Sequence, residues 1–183
     1  MSATTTPQTA TTWAIDTAHS NVEFSVKHMM ISTVKGRFGI VTGTVTTDDT
    51  DPAKGQVDVS IDAASIDTRE AQRDAHLRSA DFFDVERFPA ITFRGNRIGD
   101  VRGDRFKLTG DLTMRGVTRE VTLDVTSEGR GKDPWGGERA GFSATTKIKR
   151  SEFGLTWNQV LETGGIAVGD EIKIALDIEA VKS

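Results

Sequence analysis

The residues that could do chemistry here are few and scattered. Three histidines, His19, His28 and His76, stand far apart, with no i,i+4 or close strand spacing of the kind that metal pairs use. There are no cysteines, which excludes thiol catalysis, thiolate metal sites and a disulfide framework. "GFSAT" is not a nucleophile elbow, and no Gly-rich turn opens a helix to cradle phosphates. The run "TDDTDPAKG" lacks the spacing and terminal glutamate of a calcium loop and reads as a turn. Asp58, Asp124, Asp177 and Glu179 fall on the polar side of alternating segments, where a solvated surface is the plain account. The histidines read as hydrogen-bonded structural residues. His28 differs, because it continues the series Val22, Phe24, Val26 and so is expected to carry a polar ring inward. No catalytic residues and no metal ligands are assigned.

The elements that must position any site are strands. Alternation of period two runs through "SNVEFSVKH", "QVDVSID", "REVTLDVT" and "EIKIALDIE". One dry and one wet face per strand is the mark of antiparallel sheet. Further strands are predicted at 35–47, 90–98, 105–115 and 139–150, separated by turn signals such as "DDTDPAKG" and "GRGKDPWGG". Gly39, Gly43, Gly95 and Gly110 interrupt strand patterns, where glycine permits coiling or a bulge. The fold class is therefore all-β, as an antiparallel barrel with a sandwich as competitor. A helix is expected over 67–80, with Asp67 and Glu70 resembling a capping box, and a second helical turn around 158–161. Residues 1–12, rich in threonine, read as a disordered tail, and residues 13–183 as one domain.

Charge narrows the partners. The chain has 183 residues, with 23 basic and 27 acidic residues interleaved and a net charge of −4, so no basic stripe points to nucleic acid. No apolar run approaches the roughly 18 residues of a transmembrane helix. The N-terminus lacks the basic and apolar regions of a secretory signal. A cytoplasmic location is expected, with export the alternative if the sequence had been trimmed.

What stands out is apolar: nine phenylalanines and three tryptophans are the only aromatics. An eight-stranded barrel is just wide enough to be filled by side chains or to hold one small ligand. The blocks "WAIDTAHSNVEFSVKHM", "VKGRFGIVTGTV", "SIDTREAQRDAHLRSADFFDVERFPAITF", "LTGDLTMRGVTREVTLDV" and "AGFSATTKIKRSEFGLTW" resemble the YceI-like family, in order from about Trp13 to the C-terminus. That resemblance implies an extended, lipocalin-like, eight-stranded antiparallel barrel with one or two short helices near its mouth. It also implies non-covalent binding of an isoprenoid-type lipid or similar amphiphile, no other cofactor, and in some members a homodimer.

Alternation and resemblance together nominate a lumen. Phe24, Val26, Phe38 and Ile40 come from the first strands, then Val59, Ile61, Phe82, Phe83 and Phe93. Phe106, Leu108, Phe142, Ile148, Trp157, Ile172 and Ile174 complete it. Residues 67–80 are expected to form a lid across one mouth, with Phe82 and Phe83 lining the upper lumen. His28, Arg69, Arg73 and Arg78 are the candidates for meeting a ligand head group. Two rival readings are an enzyme using His28 or His76 as acid–base, and a barrel packed solid that serves as a stress or interaction protein.

Overall fold

The computed structural model describes residues 10–183. Strand β1 (Ala10–Ile15) is followed by β2 (Asn21–His28), β3 (Ser32–Phe38), β4 (Val41–Asp48), β5 (Gln56–Asp62) and the short β6 (Ile66–Asp67). Then come helix α1 (Ala71–Arg78) and the longer strands β7 (Ala90–Arg102), β8 (Arg105–Met114), β9 (Val117–Lys132), β10 (Glu138–Lys149) and β11 (Val168–Lys182). Of the tail assigned to 1–12, Ala10–Thr12 instead pair with Thr46–Asp48 of β4, and residues 1–9 lie outside the described residues.

All neighbours pair antiparallel in the order β1-β4-β5-β7-β8-β9-β10-β11, and β1 returns to β11, so the sheet closes. The eleven strands make eight staves. β1 with β2, β3 with β4, and β5 with β6 are halves of three long strands bent midway. At one end of the barrel β1 lies beside β11 and β4. At the other, β2 lies beside β11 and β3, and β3 beside β6. β11 thus borders both halves of the first stave. The ladder closes between β1 and β11, while at the other end it stops at β6, which pairs only with Arg37 and Phe38 of β3.

The bends have local causes. At 16–20 the Asp16 carboxylate accepts from Ala18 N (3.0 Å), starting a 3-10 turn. At 62–65 Asp62 does the same with Ala64 N (3.0 Å). The third bend, at Gly39–Ile40, divides the single strand predicted over 35–47.

Inside-facing positions follow alternation until a bulge resets it. In β7, Ile91 and Phe93 point inward, but the register then shifts between Gly95 and Arg97, and Ile98 takes the inner face. Gly95 lies directly opposite Gly110, and a Cβ on Gly110 would run into the Arg94 carbonyl, so this crossing is built for glycine. β9 repeats the device: Gly129 pairs with Gly141 and Ser127 with Phe142, which leaves Glu128 as the extra residue. Val121, Leu123, Val125 and Ser127 face the interior before the bulge, and Arg130 after it.

The helix is shorter than 67–80. Its cap is Glu70, whose carboxylate accepts from Gln72 N (3.1 Å) and Arg73 N (2.6 Å). Asp67 instead closes a turn on Arg69 N (2.8 Å), where Arg69 has φ 65°. No helical turn forms at 158–161. The Asn158 side chain accepts from Val168 N (3.0 Å) and donates to Val168 O (2.8 Å), imitating a strand partner and holding this stretch as a loop. A 3-10 turn occurs earlier, at Arg150–Phe153, ended by Gly154 in the left-handed region (φ 79°). No helix among the described residues is long and apolar enough to cross a membrane.

Candidate functional site: an apolar tunnel open at one end

The barrel encloses a cavity of about 570 Å³, within the roughly 300–1,000 Å³ usual for small-molecule sites. Its wall is aliphatic and aromatic, drawn from every stave. Its two ends differ. At one, the bordering residues Asp49, Pro52, Gln56, Val101, Asp104 and Arg130 are solvent-exposed. They come from the β4–β5 turn and the start of β5, the end of β7 with the turn after it, and the far end of β9. At the other, Leu77, Phe82, Phe83, Ile148, Arg150 and Leu155 are buried or half-buried. The tunnel therefore has a mouth and a floor.

Most of the nominated lumen residues border this cavity. Phe24, Val26 and Phe38 do so from β2 and β3, Val59 and Ile61 from β5, and Phe93, Phe106 and Leu108 from β7 and β8. Phe142, Ile148, Ile172 and Ile174 do so from β10 and β11. Phe82 and Phe83 belong to the floor. Phe83 meets Phe38 edge-on at 5.6 Å, and Phe82 lies 5.4 Å from Trp157 and 5.1 Å from His76. The segment holding α1 covers the closed end and is not a lid over the opening.

Two lumen nominees are displaced. Ile40 sits in the bend between β3 and β4, 47% exposed, while fully buried Val41 takes the interior place. Its backbone is held by Ser65 Oγ, which accepts from Ile40 N (3.2 Å), and by Asp62 N, which donates to Ile40 O (3.0 Å). Trp157 stands behind Phe82, outside the cavity wall.

The head-group nominees all fall away from the cavity. His28 is the exposed last residue of β2, where the strand has run past the enclosed section. Arg69 borders a second, more polar cavity of about 940 Å³ with Lys35, Arg37, Lys147 and Lys173, which touches the tunnel wall at Phe24, Thr146 and Ile174. Arg73 donates to Thr68 Oγ1 (2.8 Å) and Thr68 O (2.7 Å). Arg78 donates to Ala64 O (3.0 Å) and Ile66 O (3.0 Å). These two arginines fasten α1 to the preceding segment, and Asp74 is buried beneath them, accepting from Thr68 N (2.9 Å). Charge in 67–80 serves the floor.

Two arginines that were not nominated matter more. Arg150 borders the cavity floor at 6% exposure. Its guanidinium donates to Gly169 O (2.8 Å), Leu155 O (2.7 Å), Trp157 O (2.9 Å) and Val168 O (3.2 Å), and lies 6.0 Å above the Phe82 ring. Burial pulls its pKa down, with Asp170 acting in the opposite sense. Its place two residues after Ile148 on the inward face was readable from alternation. Arg130, at the mouth, lies 5.0 Å over the Trp13 ring and 3.5 Å from the Asp49 carboxylate. It reaches the cavity only because of the Glu128 bulge, which no sequence pattern announces.

Neither His28 nor His76 enters the cavity; His76 faces Asp81 (2.8 Å) on the outside of the floor. Asp16, His19 and Glu179 do bring three potential ligand atoms within 4.8 Å of one another. Arg139 already supplies positive charge there, donating to Asp16 (2.7 Å) and lying 3.6 Å from Glu179, with Asp133 on its other side (3.0 Å). This is an ion-pair seam joining the bend after β1 to β10 and β11. The hydrogen bond from Arg139, then that from His19, lowers the Asp16 pKa to about 2. A carboxylate depressed on folding stabilises above its unfolded pKa, near 3.9, and that contribution is lost as pH falls toward 2. Asp16→Asn is expected to flatten the stability curve between about pH 4 and 2, as read by urea midpoints at stepped pH.

A closed, apolar, eight-stave barrel of this shape has counterparts. The model of the YceI-like domain matches residues 13–180. The chain belongs to the YceI-like family. Protein YceI of Salmonella newport is 40% identical over 164 residues, covering 90% of this chain and 82% of that one. UPF0312 protein VPA0850 of Vibrio parahaemolyticus is 39% identical over 148 residues, covering 80% and 78%. Among solved structures, BcnA of Burkholderia cenocepacia superposes with a TM-score of 0.79 at 28% identity, over 90% of this chain and 98% of that one. A polyisoprenoid binding domain from Saccharophagus degradans shares the fold at TM-score 0.67 and 14% identity, over 93% and 98%.

Proposed function

We propose that this YceI-like protein binds the hydrocarbon tail of an isoprenoid-type lipid in its lumen, non-covalently and without catalysis. The observation that carries this reading is the tunnel itself, enclosed, apolar along its length and open at a single end. A polyisoprenoid-binding neighbour with the same fold supports the ligand class. Each methylene moved from water into such a wall gains about 0.8 kcal/mol, so a few five-carbon units offset the cost of association. Polar atoms at the mouth then set direction: tail to the floor, head to solvent.

The unfilled interior counts against a solid barrel, and the placement of His28 and His76 outside it counts against acid–base chemistry there. Native mass spectrometry of freshly purified protein, with solvent extraction of what it carries, is the test. An adduct of isoprenoid mass is expected. A clean unliganded mass from several expression hosts, together with no uptake of added prenyl lipid, would reject the reading.

A further inference from the structure

The closed end of the barrel has an outer surface that the lumen does not use. The tip of the β2–β3 hairpin is His28-Met29-Met30-Ile31, closed by Ile31 N donating to His28 O (3.1 Å), with Met29 at φ 52° and Met30 at φ 60°. Two consecutive left-handed residues make a turn whose usual occupants are Asn and Gly, because a longer side chain is strained there. This chain instead sets two methionines at the strained positions and an isoleucine after them. Met30 is 62% exposed and Ile31 80%. The loop 159–167 lies alongside, tied by Met29 N donating to Ala167 O (2.8 Å), and carries Val160 at 75% exposure, bridged to exposed Ile166. Five of the eight large hydrophobic residues exposed among the described residues therefore gather at one tip.

Behind the tip the outer face of the sheet is basic. Lys147 of β10 lies directly opposite Lys173 of β11, Lys173 opposite Ser25 of β2, and Ser25 opposite Lys35 of β3. Like charges directly opposite one another destabilise a sheet, and none of these three lysines has an ion pair among the described residues. Arg37 and Arg69 join them around the second cavity, five cations against Glu23, Asp67 and an Asp124 already paired with Lys107 (2.9 Å). Nearer the tip, Glu171 lies opposite Lys149, Glu162 is exposed, and Lys27 donates to Thr33 Oγ1 (3.2 Å). In a chain of net charge −4 this row is a local reversal of sign.

We propose that this end docks on an anionic lipid bilayer, with the hairpin tip dipping into the interface and the lysine row meeting lipid head groups. A strand rises about 3.3 Å per residue, which sets Lys35 roughly 13 Å behind Ile31. A tip sunk about 5–10 Å into the interface then brings the row to head-group level. Apolar insertion and attraction of basic side chains to anionic lipid act together in such docking. A second copy suits this face poorly, because two-fold pairing sets lysine row against lysine row. The mouth lies at the other end of β11, where Lys182 pairs with Trp13, and faces away from the docked bilayer. Docking is therefore independent of what the lumen holds.

Co-sedimentation of the full chain with phosphatidylcholine vesicles, with and without about one-third phosphatidylglycerol, tests this at low and at physiological salt. Binding is expected on the anionic vesicles alone, weakening as salt rises. Lys147→Gln with Lys173→Gln should weaken it about tenfold. M29N/M30G should weaken it at least about tenfold and also raise the urea midpoint, since the turn then has its preferred residues. Misfolding cannot account for binding lost as stability is gained. Absence of binding to the anionic vesicles, or equal binding to both kinds, overturns the proposal. Binding that M29N/M30G leaves unchanged also overturns it, marking a plain polyanion surface. So does a dimer in analytical ultracentrifugation that M29N/M30G dissociates, which would make the tip a contact between copies.

Discussion

Arg150→Met is expected to destabilise the protein by about 3–5 kcal/mol, a large share of the 5–15 kcal/mol that folded domains commonly possess. The side chain is unusual in having no carboxylate within ion-pair distance. Its four hydrogen bonds go to the backbone carbonyls of Leu155, Trp157, Gly169 and Val168 at the rear of an apolar floor, and of these Val168 O also accepts from Asn158 (2.8 Å). A carbonyl left unpaired in such a place costs about 1–3 kcal/mol, and two of these bonds are buried. Methionine fills much of the volume but accepts none of that duty. Arg150→Lys should recover only part of the loss, since a single ammonium cannot match a planar fork with donors in several directions. Urea unfolding checks both variants. A loss below about 1 kcal/mol for Arg150→Met would mean that water replaces the guanidinium and that the floor is wetter than its aromatic lining implies.

Ala144→Trp is expected to abolish lipid uptake while leaving the barrel folded. Ala144 lies midway along β10, opposite Val125 of β9 and Leu176 of β11, and borders the cavity with both. An indole there occupies space that a ligand tail would fill. Displacing as few as four methylenes forfeits about 3 kcal/mol, or on the order of a hundredfold in affinity. In a tightly packed core the same change would be destabilising; here the excess volume enters a void. Ile40→Trp is the matched control, because that side chain points outward from the bend, and its binding should be unchanged. Titration with a fluorescent prenyl probe, alongside circular dichroism, separates blocked lumen from lost fold. Wild-type affinity in Ala144→Trp would place the ligand outside the barrel.

Legibility in the sequence followed the length of uninterrupted alternation. Ile172, Ile174, Leu176 and Ile178 face inward along β11 as their spacing dictates, and so do Val22, Phe24 and Val26 on β2. Reading failed where the backbone breaks its own period. Ile40 keeps step with Phe38 in the letters, but a bend intervenes and turns it to solvent. Arg130 is out of step with Val125 in the letters, and an extra residue at Glu128 brings it to the mouth. The larger miss, which end is open, is a matter of tertiary arrangement. The charges of 67–80 allowed either a plain salt-bridged surface or a site for a ligand's head group, whereas Arg73, Asp74 and Arg78 are consumed by hydrogen bonds within the floor. No local pattern tells a guanidinium that will meet a ligand from one that will meet a carbonyl.

β11 is shared between both halves of the first stave, pairing with β2 over Val168–Asp177 and with β1 at Ala180–Lys182. It is also the last of the eight staves to emerge during synthesis. Until β11 is in place, the staves from β4 to β10 make an open trough, because the seam is formed by strands distant in sequence. Under the proposed lumen-binding function, a ligand tail would enter either that trough before it is sealed or the mouth afterwards. The two routes differ in kinetics, since only the second allows repeated loading by a finished molecule.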